Sequence, residues 1–100
     1  MIHQLAIQPD ALADIETAGA WYEEQQPGLG ADFSRTVRQA INTLPANPVI
    51  YCVRERRGQV RWFFPRRFPY RIVYRVNRDL INIIAVIHAA RHDRHWRERL

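Results

Sequence analysis

From the first helix onward the hydrophobic period of this chain changes once, near residue 50, and that change decides what it can fold into. Before it, apolar residues recur every three or four positions. Leu12, Ile15, Gly19 and Tyr22 form one such line, flanked by Ala11, Ala18 and Trp21. Leu29, Phe33, Val37, Ile41 and Leu44 form the next. Each is the stripe of an amphipathic helix. Asp10 stands where an N-cap is needed, Gln25-Gln26-Pro27-Gly28 separates the two helices, and Pro45 and Pro48 close the second. So short a connection makes the pair an antiparallel hairpin. After residue 50 the period is two. Val60, Trp62 and Phe64 alternate with Arg61 and Phe63, and Tyr70, Ile72, Tyr74 and Val76 alternate with Arg71, Val73 and Arg75. Asn77-Arg78-Asp79 is a turn, and Leu80 to Ala89 is a long β-rich strand. Ile2 to Gln8 also alternates and reads as a short first strand. Ile50 to Gln59 reads as strand or loop, and Arg91 to Leu100 as a short, polar helical tail. The order β-α-α-β-β-β predicts an α+β fold: an antiparallel helix hairpin on one face of a small, mainly antiparallel sheet, with a short C-terminal helical tail. Residues 1–100 have the size of a single domain with one core.

Charge divides at the same place. All fifteen basic residues are arginine. Residues 1–50 carry two of them against six acids, a net charge of −4; residues 51–100 carry thirteen against four, a net of +9, which together make the +5 of the chain. Guanidinium is planar, always charged and matched to phosphate or carboxylate by paired hydrogen bonds. A surface loaded this way expects a polyanion or an acidic protein surface. Other classes are excluded by what is missing. The longest apolar run, Leu80 to Ile87, is interrupted by Asn82 and is too short to cross a bilayer, so no membrane partner is expected. Cys52 stands alone, which rules out an internal disulfide and, with no secretory signal pattern, points to the cytoplasm. No Walker loop, dinucleotide-binding glycine pattern, HExxH or GxSxG occurs, and no cofactor is expected.

Strand parity tells where the arginines go. Side chains alternate across a sheet. If Tyr70, Ile72, Tyr74 and Val76 pack under the helices, Arg71 and Arg75 point away from them. If Trp62 and Phe64 face inward, Arg61 faces outward. With Ile81, Ile83, Ala85 and Ile87 as one apolar set, Asn82, Ile84, Val86 and His88 share the opposite face. This reading gathers Arg61, Arg71, Arg75 and His88 on an uncovered face of the sheet, with Arg66 and Arg67 on a loop beside it and Arg91, Arg94, Arg97 and Arg99 in the tail. An imidazole acting as general acid or base beside guanidiniums that stabilise a pentavalent phosphate would suit RNA cleavage. The plainer alternative is a solvated face whose arginine stems cover apolar sheet. His88, His92 and His95 are spaced four and three apart, but arginines lie between them and no metal site is expected. Trp96 is a candidate for base stacking or for contact with a partner.

The run Arg67-Phe68-Pro69-Tyr70-Arg71-Ile72-Val73-Tyr74-Arg75-Val76, then Ile83-Ile84-Ala85-Val86-Ile87-His88-Ala89-Ala90-Arg91 and Trp96-Arg97-Glu98-Arg99, resembles the RelE/ParE superfamily of bacterial type II toxins. The first half agrees in its Asp14-Ile15 helix, Trp21-Tyr22, Gly30 three residues before Phe33, and Leu44 followed by Pro48. The resemblance implies a growth-inhibiting toxin of the plasmid-stabilisation type, held inactive in a hetero-oligomer with a cognate antitoxin. It implies one of two targets: DNA gyrase for ParE-like toxins, or mRNA on the ribosome for RelE-like endonucleases. For a nuclease the catalytic set would be Arg61, Arg71, His88 and Arg91, with Arg71 and Arg91 matching arginines that RelE-like enzymes use on phosphate. Arg66, Arg67, Arg75, Arg94 and Trp96 would meet the target or the antitoxin. The chain lacks the lysines and the C-terminal tyrosine of lysine-type RelE enzymes. Its Phe-Pro-Tyr and His-x-x-Arg signatures look more like the ParE branch, so gyrase is the favoured target; apart from the resemblance, a plain nucleic-acid-binding module is the remaining alternative.

Overall fold

The computed structural model of the chain describes residues 3–100. The first strand, β1 (Gln4–Ile7), leads into α1 (Pro9–Gln25), which forms a hairpin with α2 (Leu29–Asn42). A 3₁₀ turn at Leu44–Ala46 follows, then four strands: β2 (Val53–Glu55), β3 (Val60–Phe63), β4 (Tyr70–Asn77) and β5 (Leu80–His88). A one-turn helix, α3 (Arg94–Arg97), completes the order. The expected α+β architecture is present, with one more strand than the period predicts, because Val53–Glu55 pairs with β3. Sheet order is β1-β5-β4-β3-β2, with β1 parallel to β5 and every other pair antiparallel. Ile2, included in the expected first strand, lies outside the described residues.

The helix ends are built differently from the expectation. The N-cap of α1 is Gln8, extended at ψ 149°, and Pro9 follows in the first turn, where a missing N–H costs nothing. Asp10 instead sits inside that turn, favourably placed for the helix dipole. Gly28 opens α2 at φ +89°, a left-handed conformation that suits glycine. The carboxylate of Glu23, on α1, accepts hydrogen bonds from the backbone N–H groups of Gly28 (2.9 Å) and Gly30 (3.0 Å). One side chain thus satisfies two N–H groups at the start of the next helix. A Cβ on Gly30 would run into the carbonyl of Gly19, so this crossing admits no side chain there.

The hairpin buries Ala11, Ile15 and Ala18 of α1 and Phe33, Val37 and Ile41 of α2 against Ile72, Tyr74, Ile81, Ile83 and Val86 of the sheet. The buried line of α1 is rotated from the expected one: Ala11 takes the inner position and Leu12 is exposed. The other face of the sheet is not open. Val60, Val73, Ile84, Ala85 and Ile87 form a second core there, closed by Trp96 from the C-terminal segment and flanked by half-buried Trp62.

A β-bulge in β5 resets the side-chain phase. Val73 pairs with Ala85 while Tyr74 pairs with Ile83, which leaves Ile84 as the extra residue. Ile84 and Ala85 therefore both belong to the second core, and Val86 returns to the helix side. His88 pairs with Tyr70 and follows it to the helix side. The expected grouping of Val86 and His88 with Arg71 is thereby corrected. β3 is also inverted relative to the expectation. Phe63 is the residue that joins the helix-side core, while Trp62 packs on the far face and Phe64 is exposed.

Candidate functional site

β4 holds Arg71 on the far face of the sheet, and the C-terminal segment folds over it. Arg71 is only 6% exposed. Its Nη1 donates to Asp93 Oδ1 at 2.6 Å and its Nη2 to the Arg91 carbonyl at 2.9 Å. Its guanidinium lies 5.0 Å from the ring centre of Trp62, a cation–π contact. Asp93 also accepts from the Trp96 indole N–H at 3.4 Å. Burial by itself would raise the Asp93 carboxyl, but the hydrogen bond and charge of Arg71, helped by Trp96 and Arg97, outweigh it and hold Asp93 below the ordinary carboxylate value of 3.8. Arg71 Nε has no partner among the described residues. Arg71 is thus the fastening of the tail, already engaged within the chain.

A second fastening pins the bulge. β1 covers the edge of β5 only as far as Ile83, whose carbonyl accepts from Gln8. Beyond that point Asp14 on α1 accepts from the Val86 N–H at 3.0 Å. Arg99 grips the same carboxylate with both Nη atoms, at 2.6 and 3.0 Å, and donates to the Ile84 carbonyl at 3.2 Å. A half-buried ion pair takes over where the strand ladder stops.

Between α1, the start of β4 and the tail lies a groove of about 600 Å³. Its lining includes Trp21, Tyr22, Tyr70, His88, Arg91 and His95. Trp21 is 55% exposed and packs edge-on against Tyr22, with ring centres 5.1 Å apart. Tyr70 meets the His88 ring edge-on at 5.3 Å. Burial raises the phenol pKa of both Tyr22 and Tyr70, so each keeps its proton and remains a donor. His88 Nδ1 accepts from the Ala90 N–H at 3.0 Å, which leaves Nε2 as the other ring nitrogen. The wall is aromatic and the rim cationic, a chemistry suited to an apolar anchor flanked by acids.

A family model described as the ParE toxin of the type II toxin-antitoxin system parDE matches residues 5–93. The chain belongs to the ParE toxin family. Among solved structures it is similar to one from the chromosomal ParDE toxin-antitoxin system of P. aeruginosa, with a TM-score of 0.77 at 21% identity, over 87% of this chain and 96% of that one. That likeness is one of fold. No match was found among curated proteins. As a ParE-family member the chain is a type II toxin. Among the described residues no helix is long and apolar enough to cross a membrane.

In this ParE-family fold the four residues expected of a nuclease are dispersed. His88 and Arg91 share the aromatic groove. Arg71 is buried on the opposite face. Arg61 lies on the helix side at β3, paired with Tyr74, and donates to the Tyr51 carbonyl. The residues expected to meet a partner are also scattered. Arg66 and Arg94 are exposed, as is Arg67, whose guanidinium lies 5.2 Å from the Phe68 ring centre. Arg75 is half-buried at the far end of β4. Trp96 is 0% exposed and belongs to the second core, so the contact expected of it is not available. Among the described residues no three His, Cys, Asp or Glu side chains converge as metal ligands. Sequence assigned Trp21, Tyr22 and Tyr70 to the helix and strand patterns and His95 to a histidine spacing rejected as a metal site, and none of them to a binding groove. The signal that could have found Trp21 is its place beside the helix stripe rather than on it, which leaves a large aromatic surface unburied.

Proposed function

We propose that this toxin acts on DNA gyrase by binding, without cutting nucleic acid, and that a cognate antitoxin holds it inactive in a hetero-oligomer. The observation that carries the reading is the separation of Arg71 from His88. The nuclease set expected for this chain needs His88 together with Arg71 and Arg91 within reach of one substrate. Here His88 and Arg71 lie on opposite faces of the sheet, and Arg71 is engaged by Asp93 at 2.6 Å. Family membership in ParE supports the gyrase target over the ribosome.

The aromatic groove is the seat we assign to the antitoxin. A segment disordered when free would fold there as a helix or an added strand. An apolar side chain would pack on Trp21 and Tyr22, and Asp or Glu side chains would meet His88 and Arg91. In a cell the free toxin should then act in the cytoplasm and arrest growth.

Two assays run side by side test the proposal. The purified chain should inhibit supercoiling by gyrase and leave mRNA intact on translating ribosomes, and the antitoxin should restore supercoiling. Cleavage of mRNA with supercoiling untouched would move the function to the nuclease branch. His88 and Arg91, the two expected catalytic residues that share a groove, would then be the pair to test.

A further inference from the structure

A group of arginines without an ion pair among the described residues lies away from the aromatic groove. β2 is the outer strand of the sheet, and its far edge carries no partner strand among the described residues. Arg54 lies in β2, and the β2–β3 connection carries Arg56 and Arg57 followed by Gly58, which turns at φ +82°. Val60 pairs with Arg75, so Arg75 projects from β4 beside this turn. A groove of about 590 Å³ runs across the corner, lined by Glu55, Arg57, Gly58, Arg75, Arg97 and Leu100. Glu55 supplies the one carboxylate side chain in the lining, and Arg97 already holds it at 2.9 Å. Arg54, Arg56, Arg57 and Arg75 form no ion pair among the described residues. Arg78 lies in the β4–β5 turn at the same end of the sheet, next in sequence to Asp79.

We infer that this arginine corner binds the phosphodiester backbone of nucleic acid, at a site separate from the aromatic groove and independent of the gyrase reading. Arg57, Arg75 and Arg97 line the groove, with Arg54 and Arg56 close to Arg57 in the chain, and a polyanion relieves the repulsion among like charges gathered this way. Guanidinium forks match phosphate oxygens in pairs. An acidic protein segment is the competing occupant. A protein interface, however, draws most of its energy from apolar anchors seated in pockets, and Leu100 is the only apolar side chain in this lining. Trp62 lies beneath Arg54, with the guanidinium 5.6 Å from its ring centre, and half-buried Trp62 adds no open stacking platform. The contact is therefore to backbone, without base readout, and blind to sequence.

The test is fluorescence anisotropy of labelled duplex oligonucleotides of two unrelated sequences, titrated with the full chain across a salt series. The two sequences should bind alike. The logarithm of affinity should fall with the logarithm of salt at a slope of about 0.9 per phosphate contacted. Arg56→Ala with Arg57→Ala should weaken binding at least tenfold and reduce that slope by about 2, one unit for each phosphate contact removed. Arg35→Ala with Arg38→Ala removes the same charge from the exposed side of α2 and should change binding less than threefold. Equal losses from the two pairs would refute the corner as a site and leave only net charge. Displacement of the duplex by an acidic peptide at equal charge concentration, with the peptide the tighter ligand, would assign the corner to a protein instead.

Discussion

The two grooves of this molecule lie at opposite ends of β4 and are served by one C-terminal segment, yet their chemistry is opposed. Near Tyr70 the wall is aromatic, an exposed tryptophan stands at its edge, and the imidazoles and Arg91 form a rim. Near Arg75 the lining is guanidinium around a single carboxylate that is already paired. The first can bury apolar surface and hold a protein segment; the second offers mainly guanidinium charge, with Leu100 as its one apolar side chain. The segment after β5 reaches both, with Arg91, His95 and Arg99 at one and Arg97 and Leu100 at the other. What differs is the neighbouring element. α1 contributes Trp21 and Tyr22 to one groove, while the β2–β3 turn contributes Arg57 to the other.

Detaching the shared segment is the strongest way to break this contrast. Trp96 is fully buried, so Trp96→Ala should cost about 4 kcal/mol of stability. Urea denaturation would show it, and both grooves should lose their ligands together; loss at only one would mean that they are not built on a common support. Asp93→Ala comes next. It leaves Arg71 buried without its carboxylate and should cost about 3 kcal/mol. The same pair predicts a pH dependence. The folded state holds Asp93 below its unfolded value, so its stabilisation is complete above that value and is lost as pH falls through the lowered one. Between pH 6 and pH 2 the urea midpoint of the natural chain should therefore drop more than that of Asp93→Asn.

Sharper discrimination comes from Trp21→Ala. Because Trp21 is largely exposed, stability should hold, while antitoxin affinity falls about thirtyfold, the loss of one interface anchor. Isothermal titration would measure it, and salt-dependent binding of nucleic acid should be unchanged in the same variant. The smallest effect belongs to Arg97→Ala. Its bond to Glu55 is largely solvated, and its loss should cost less than about 1 kcal/mol. A thermal melt showing more would give that surface pair a structural weight it is not expected to have.

Some of this was open to reading in one dimension. Phe33, Val37 and Ile41 recur at four-residue spacing and are the buried line of α2. Tyr70, Ile72, Tyr74 and Val76 alternate and do face the helices. The phase of β5 was not readable, because Ile81 to Ile87 is apolar on both faces apart from Asn82, and a run without alternation carries no mark for a bulge. Nor was the fate of Arg71 readable: its partner Asp93 lies 22 residues away. Asp14 and Arg99, which fasten the bulge, are 85 residues apart.

Local periodicity and turn chemistry were enough to determine the helix hairpin, the main strands and the division of charge, because those depend on spacing within a few residues. Which guanidiniums are spent inside the fold and which remain for a partner was decided only in three dimensions. A single extra residue in β5 moves His88 across the sheet, and Trp96 closes a face that alternation alone would leave open. Both outcomes follow from packing between segments far apart in the chain, which no short-range pattern encodes.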